Sequence, residues 1–323
     1  MRNLLFILSL SGLMSCQPSG NQSQTYPHRP LTYIVPWSPG GGTDIASRTM
    51  AAVLQDALGQ PVNVVNRAGG SGIVGHLALS QARPDGYTIG AITVEITMLH
   101  WQGLTDLSYE NYTTLGLLTN NFASVTVRND APWNTLEELL DDIRANPGKY
   151  KASGTGKGGI WDLARAGFLQ AADLPVSAMP WVPSQGAAPA LQELIAGGVE
   201  VVTAALVEVD ALQKAGQVKV LAVMAPERLP SFPEIPTLKE QGVDWSLGGW
   251  VGIGAPKDLP AEIVTRLDSA MQLAMKDEAF VSVMKKAGYY LQPMDAATFG
   301  SFMKDQDVLN GDLMKSAGIV KEE

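Results

Sequence analysis

Three segments of the chain concentrate glycine and hydroxyl residues where an apolar, β-rich run gives way to a helical pattern. They are Ser38–Asp44 (SPGGGTD), Asn66–Gly72 (NRAGGSG) and Ser153–Gly159 (SGTGKGG). Such a junction presents several backbone N–H groups at a helix N-terminus, where the helix dipole also favours negative charge. Glycine lets a ligand approach the main chain closely and tolerates dihedrals that other residues avoid. Ser38, Thr43, Ser71, Ser153 and Thr155 add hydroxyls able to donate to a carboxylate. The chemistry on offer is capture of an anion. One such loop is as often only a tight strand-to-helix turn, but three in one chain favour an anion site.

The third loop allows a sharper alternative. Gly154, Gly156 and Gly159 spell G-x-G-x-x-G, and Asp173 lies nineteen residues after Gly154, the spacing of a dinucleotide fingerprint. That alternative is a nicotinamide-dependent oxidoreductase. Against it, the match is solitary, sits mid-chain, and follows an export signal described below. A P-loop is excluded, because Lys157 is followed by Gly158 and not by Ser or Thr. Other catalytic constellations are missing. His28, His76 and His100 are scattered, with no metal-binding pair at helical spacing. No G-x-S-x-G elbow occurs. The acidic pairs Glu137–Glu138 and Asp141–Asp142 fall on a solvated helix face. With no nucleophile or proton-transfer pair nominated, the expectation is a binding protein: no enzyme, no cofactor and no metal.

The 323 residues carry a net charge of -9, from 23 Lys+Arg against 32 Asp+Glu. This argues against a nucleic-acid binder, which usually shows a basic face. It does not exclude a small anionic ligand, since clustered backbone N–H groups can hold one without net positive charge. No apolar run reaches the roughly 18 residues that span a bilayer. At the N-terminus, Arg2 precedes LLFILSLSGL, an apolar segment of signal-peptide length. It ends in LMSC, with the only cysteine of the chain at Cys16, which rules out an internal disulfide. Residues 1–15 resemble a lipoprotein signal, with Cys16 lipidated as the new N-terminus. An ordinary signal peptide with an incidental cysteine is the alternative. Either way the protein is expected to be exported, to the periplasm or cell envelope. Residues 16–26, polar with Pro and Gly, read as a flexible tether.

From Leu31 onward, short β-rich runs alternate with helical patterns. LTYIVP leads to a helix with Thr43 or Asp44 available as cap and Gly59 as its stop; VNVVN and DGYTIGAIT follow as strands. SVTVR precedes a helix with a capping box at Thr135 and Glu138. Strands SAMPWV, VEVVTAAL and VKVLAVMA alternate with helices APALQELIAGG and VDALQKAG; LGGWVGIGAP is the last strand, before helices at 260–276, 277–287 and 296–317. The repetition predicts an α/β fold with a parallel sheet. Its length exceeds the usual span of one core and predicts two lobes with a ligand cleft between them. Crossings near Thr126 and Trp250 divide the chain into lobe 1 (27–126 plus 250–323) and lobe 2 (127–249).

Several segments together carry a family resemblance: YPHRPLTYIVPWSPGGGTDIASR, VNVVNRAGGSGIVG, ARPDGYTIG, ASGTGKGGIWDLA, GAAPALQELIAGGVEVV, AGQVKVLAVMAPERLPSFPEIPTLKEQG and GAPKDLPAEIVTRL. In order and from Tyr26 to the C-terminus, they resemble the Bug-type extracytoplasmic binding proteins of tripartite tricarboxylate transporters. The resemblance implies a type II periplasmic-binding-protein fold, two α/β lobes joined by two crossing strands and closing on a carboxylate. It assigns one carboxylate to Ser38, Gly41, Gly42, Thr43 and Asp44 with Ala68, Gly69, Gly70 and Ser71. Asp44 is there a helix cap and water anchor, since two carboxylates repel. The opposite lobe contributes Ser153, Gly154, Thr155 and Gly156, with Gly186 and Ala187 before the next helix. Three positions depart from the family pattern. Asp162 stands, beside Trp161, where relatives often have His; Val251 replaces Arg or Phe; and Thr203-Ala204-Ala205 occupies a frequently polar or acidic place. These changes predict a less basic, more apolar distal pocket. Trp37, Trp161, Trp181 and Trp250 are candidates for an aromatic wall, with core packing the commoner role of buried tryptophan.

The expected function is extracytoplasmic capture of a small carboxylate, dicarboxylic, tricarboxylic or aromatic, by a monomer that delivers it to transporter components in the membrane. Presentation of the loaded lobes to a receptor domain, as a sensor, is the other output the same surface would serve.

Overall fold

The computed structural model describes residues 25–320. The expected signal at 1–15, Cys16 and nearly all of the tether lie outside the described residues. The first half of the chain runs β1 (Leu31–Val35), α1 (Gly42–Leu58), β2 (Val62–Asn66), α2 (Ile73–Ser80), β3 (Thr88–Thr93), β4 (Tyr112–Arg128), α3 (Leu136–Ala145), β5 (Ala152–Ser153) and α4 (Ile160–Ala171). The second half runs β6 (Trp181–Val182), α5 (Ala187–Ala196), β7 (Val201–Ala205), α6 (Leu206–Lys214), β8 (Val218–Val223), β9 (Gly248–Pro256), α7 (Ala261–Lys276), α8 (Glu278–Lys286), β10 (Leu291–Met294) and α9 (Ala296–Ser316).

Local chemistry explains most boundaries. Gly59 closes α1 with φ 69°, and its N–H returns to the Gln55 carbonyl, as a left-handed C-terminal glycine does. Thr135 and Glu138 form the expected reciprocal box on α3. Asp277 and Asp295 cap α8 and α9 through the amides of Phe280 and Thr298. On β1 the period of two is visible in the packing. Leu31, Tyr33 and Val35 face one core with Met50 and Leu54 of α1 and Phe280 of α8, while Ile34 faces the other core with Leu79 and Ile92.

The strands lie in the order β2-β1-β3-β9-β4-β7-β5-β6, with β8 and β10 also paired to β4. The expectation of a parallel sheet needs correction: the sheet is mixed. β1 is parallel to β2 and β3, and β5 to β6 and β7. Every pairing of β4 and β9 is antiparallel. These two strands pass between the halves of the sheet, so they meet each half without the helical crossover that parallel neighbours require. Residues Tyr112–Phe122 of β4 pair with β9, and Ala123–Arg128 pair with β7 or β8. The molecule is thus two α/β lobes that share β4, with β9 entering beside its midpoint.

The first twelve residues of β4 and all of β10 escape the sequence pattern. Asn120-Asn121 reads as a turn, and Gly116 sits at a register shift with φ 156°. Pro293 breaks the strand signal in β10, which is a position an edge strand tolerates.

Candidate ligand-binding cleft

Where the lobes face each other lies a cleft of about 580 Å³ of empty space, its open mouth included. Two helix N-termini border it from opposite lobes. Gly41, Gly42 and Thr43 begin α1, and Gly186, Ala187 and Ala188 begin α5. Neither helix has a side-chain cap at its start, so first-turn amides are left for another acceptor. Ser38 bridges the lobes by donating its hydroxyl to the Gln185 carbonyl at 3.2 Å. Trp37, Trp161, Trp250 and Val251 supply apolar wall.

Asp44 does not line this cleft. It is buried beneath the first loop, where it accepts from the Gly40 N–H (2.9 Å) and Asn66 (2.8 Å) and pairs with Arg48 (3.0 Å). Burial alone would raise its carboxyl, but Arg48, the Gly40 amide and Asn66 together hold it below the ordinary value. It therefore braces the loop.

Both charged residues of the lining lie outside the sequence-based assignment: Glu95, just after β3, and Glu208, in the first turn of α6. Glu208 Oε1 accepts the Gly42 N–H at 2.7 Å from across the cleft, and Oε2 accepts the Ala205 N–H at 3.2 Å. A protein carboxylate thus already sits on one amide of the α1 N-terminus. Burial pushes Glu208 up to about 7 against the pull of the two amides, and Glu95 adds to the rise. Burial also raises Glu95, opposed by the Thr93 hydroxyl, which donates to it at 2.6 Å. Behind Thr93, His76 Nε2 accepts the Thr93 N–H at 3.2 Å, and burial holds this imidazole down at about 4. The distal pocket is indeed free of Lys, Arg and His along its lining, but it is acidic as well as apolar.

Signals for both glutamates are present in the sequence. Glu95 stands alone between Val94 and Ile96, an acid inside an apolar run, and such acids are seldom buried without purpose. Glu208 is half of a capping box, three residues after Ala205; without Ser or Thr at the cap the signature is incomplete. The apolar pattern also carries the strand one residue too far and delays the helix, which hides Glu208 at the junction.

Comparison with known proteins decides the family. The model of the "Tripartite tricarboxylate transporter family receptor" (TctC) matches residues 46–319. The chain belongs to this family. A UPF0065 protein of Bordetella pertussis is 31% identical over 307 residues, covering 93% of each chain. Among solved structures, a TctC solute-binding protein from Polaromonas without ligand is 32% identical, covers 90% of this chain and 100% of its own, and has a TM-score of 0.65. The periplasmic binding protein BugD is 27% identical, covers 92% and 100%, and has a TM-score of 0.85. The fold is therefore that of periplasmic binding proteins, and TctC-family chains are extracytoplasmic receptors, not enzymes.

The positions expected from sequence to bind the ligand fall in several places. Ser38, Gly41, Gly42, Thr43, Thr155, Gly186 and Ala187 line the cleft. Ala68, Gly69, Gly70 and Ser71 do not; their loop lies against the third glycine loop, where a Cβ at Gly156 would overlap the Ser71 hydroxyl. Ser153, Gly154 and Thr203 are packed behind the cleft. Ser153 donates to the Val182 carbonyl (2.7 Å), Thr203 to the Trp161 carbonyl (2.7 Å), and a Cβ at Gly154 would overlap the Thr203 carbonyl. The first two glycines of the G-x-G-x-x-G run thus serve close packing, Gly154 against Thr203 and Gly156 against Ser71. Asp162 is buried with Arg165, accepts from the Gly158 N–H at 2.9 Å, and faces a separate surface hollow together with Ser71 and Trp181.

Proposed function

We infer that this TctC-family receptor captures a small carboxylate in the cleft between lobe 1 (27–126 with 250–323) and lobe 2 (127–249) and delivers it to the membrane components of a tripartite transporter. The observation that carries this reading is the convergence of two uncapped helix N-termini, α1 and α5, from opposite lobes on one cleft. Backbone N–H groups of Gly41–Thr43 and Gly186–Ala188, with the hydroxyls of Ser38, Thr43 and Thr155, would receive the carboxylate. Binding from both lobes draws them together, as hinge closure around a ligand requires. The ligand-free Polaromonas structure is more alike in sequence and less alike in shape than BugD, the combination expected if its lobes stand at another angle. The loop at Ala68–Ser71 then acts as a latch against Gly156, and Asp162 as a brace for Arg165, instead of touching the ligand.

Thermal-shift and calorimetric screening against mono-, di- and tricarboxylates tests the reading. At least one should stabilise the protein, by about 2.7 kcal/mol at a hundredfold excess over Kd. Gly42→Val, whose side chain would press on Glu208, should lose that response while remaining folded by circular dichroism. No response from any carboxylate would sink the reading. We further propose that Cys16 carries a lipid anchor; intact-mass measurement should show an acyl mass that Cys16→Ala lacks, and equal masses apart from the substitution would refute it.

A further inference from the structure

The geometry points to a ligand that carries a cationic nitrogen as well as a carboxylate, with Glu95 and Glu208 receiving the cation. This rests on the carboxylate reading above and names the class of carboxylate.

The first observation is how the chain treats its acids withdrawn from solvent, among which Glu95 is fully buried and Glu208 half-buried. Asp44 is paired with Arg48 at 3.0 Å, and Asp162 with Arg165 at 2.6 Å. Glu95 and Glu208 have no basic partner among the described residues, and no Lys, Arg or His lines their cleft. Buried carboxylates are ordinarily matched by a counter-charge. Here the missing cation would have to come from outside. Acceptor capacity is available for it: each Glu208 oxygen accepts a single N–H, leaving a lone pair on each.

A second, independent observation concerns the donors. Trp250 Nε1 and Thr155 Oγ1 belong to cleft-lining residues, are buried, and have no hydrogen-bond partner in the chain. An indole N–H only donates, so it requires an acceptor. With the open amides of α1 and α5, these groups suit the anionic end of a ligand, while the glutamates suit the cationic end. A purely anionic ligand would instead add negative charge beside two carboxylates, unless both were protonated.

That last arrangement has the opposite pH dependence. The charged and titratable groups around Glu208 are Glu95 after β3, Asp44 with Arg48 on α1, Tyr289 before β10, whose hydroxyl donates to the Gly42 carbonyl at 2.9 Å, and His76 on α2 behind Thr93. On α6 itself, Asp210 is paired with Lys214 at 2.7 Å. Only Glu95 and Glu208 of these line the cleft. A cationic nitrogen needs them ionised and binds more weakly as pH falls; an anion needs them protonated and binds more tightly.

Calorimetry on the mature chain with matched pairs tests this: aspartate against succinate, glutamate against glutarate, phenylalanine against 3-phenylpropionate. At about pH 8 the amino member of at least one pair should bind roughly tenfold tighter or better. That preference should fall below about threefold in the Glu95→Gln/Glu208→Gln variant. Wild-type affinity for the amino compound should also weaken towards about pH 5.5, a readout that holds even if the variant fails to fold. Deaminated members binding as well or better, or tightening at low pH, would overturn the inference while leaving the carboxylate reading intact. No binding by either member of any pair, or by any carboxylate, would overturn both.

Discussion

Glu208 is unusual in reaching across the cleft to an amide that the fold otherwise leaves open, 2.7 Å from the Gly42 nitrogen. Its carboxyl, raised by burial from an ordinary 4.5 to about 7, binds a proton more readily in the folded chain than in the unfolded one. The contribution to stability is therefore complete below about pH 4.5 and is lost as pH rises through about 7, a loss on the order of 2 kcal/mol once solvent in the cleft is allowed for. His76 works the other way. Held at about 4 against an ordinary 6.5, it stabilises the fold above pH 6.5 and loses that contribution as pH falls through 4. Comparing Glu208→Gln with the parent cancels the histidine. We expect the stability gained by the ligand-free protein between pH 8 and pH 5 to shrink in the variant, measured by urea unfolding; an unchanged difference would show that Glu208 titrates normally.

At the scale of elements, the second and third glycine loops illustrate why a glycine cluster need not be a ligand cradle. Ser71 sits in the left-handed region at φ 57° and presses on Gly156 from the other lobe. A side chain at 156 would meet the Ser71 hydroxyl, Cβ and Cα in turn. Gly156→Ala should therefore cost about 1–3 kcal/mol, the range of overpacking in a tight contact. Ser71→Gly in the same chain should recover only part of it, because the Ser71 Cα stays 3.0 Å from the added carbon. Thermal denaturation of both variants checks this, and an unaltered melting temperature in Gly156→Ala would show that the loops do not touch. The three loops were legible in sequence as strand-to-helix junctions rich in amides. Which of them faces a ligand was not, because the same local chemistry also serves packing.

For the whole molecule, β4 and β9 are the members shared between lobes. Pairing along β4 passes from β9 to β7 and β8 between Phe122 and Ala123, beside Leu247 and Gly248 of the returning chain. Motion of one lobe against the other would be absorbed there, where few residues must change dihedrals. A saturating ligand should lower the radius of gyration in small-angle scattering by closing the lobes, with little change in secondary structure. An unchanged radius would mean that the cleft is already closed without ligand, as the Ser38–Gln185 and Gly42–Glu208 bonds would favour.

The sequence by itself determined what short-range chemistry controls: the alternation of strands and helices, the capping of α3, the glycine stop of α1, the glycine-rich junction that leads into α1, and the family. Those features depend on neighbours within a turn or a strand pleat, so residue order is enough to read them. Tertiary structure alone decided the mixed sheet, the burial of Ser153, Thr203 and Asp162 away from the cleft, and the acidity of its lining. Gly42 and Glu208 are 166 residues apart in the chain. No local propensity encodes such a meeting; it follows from two crossing strands that bring two lobes face to face.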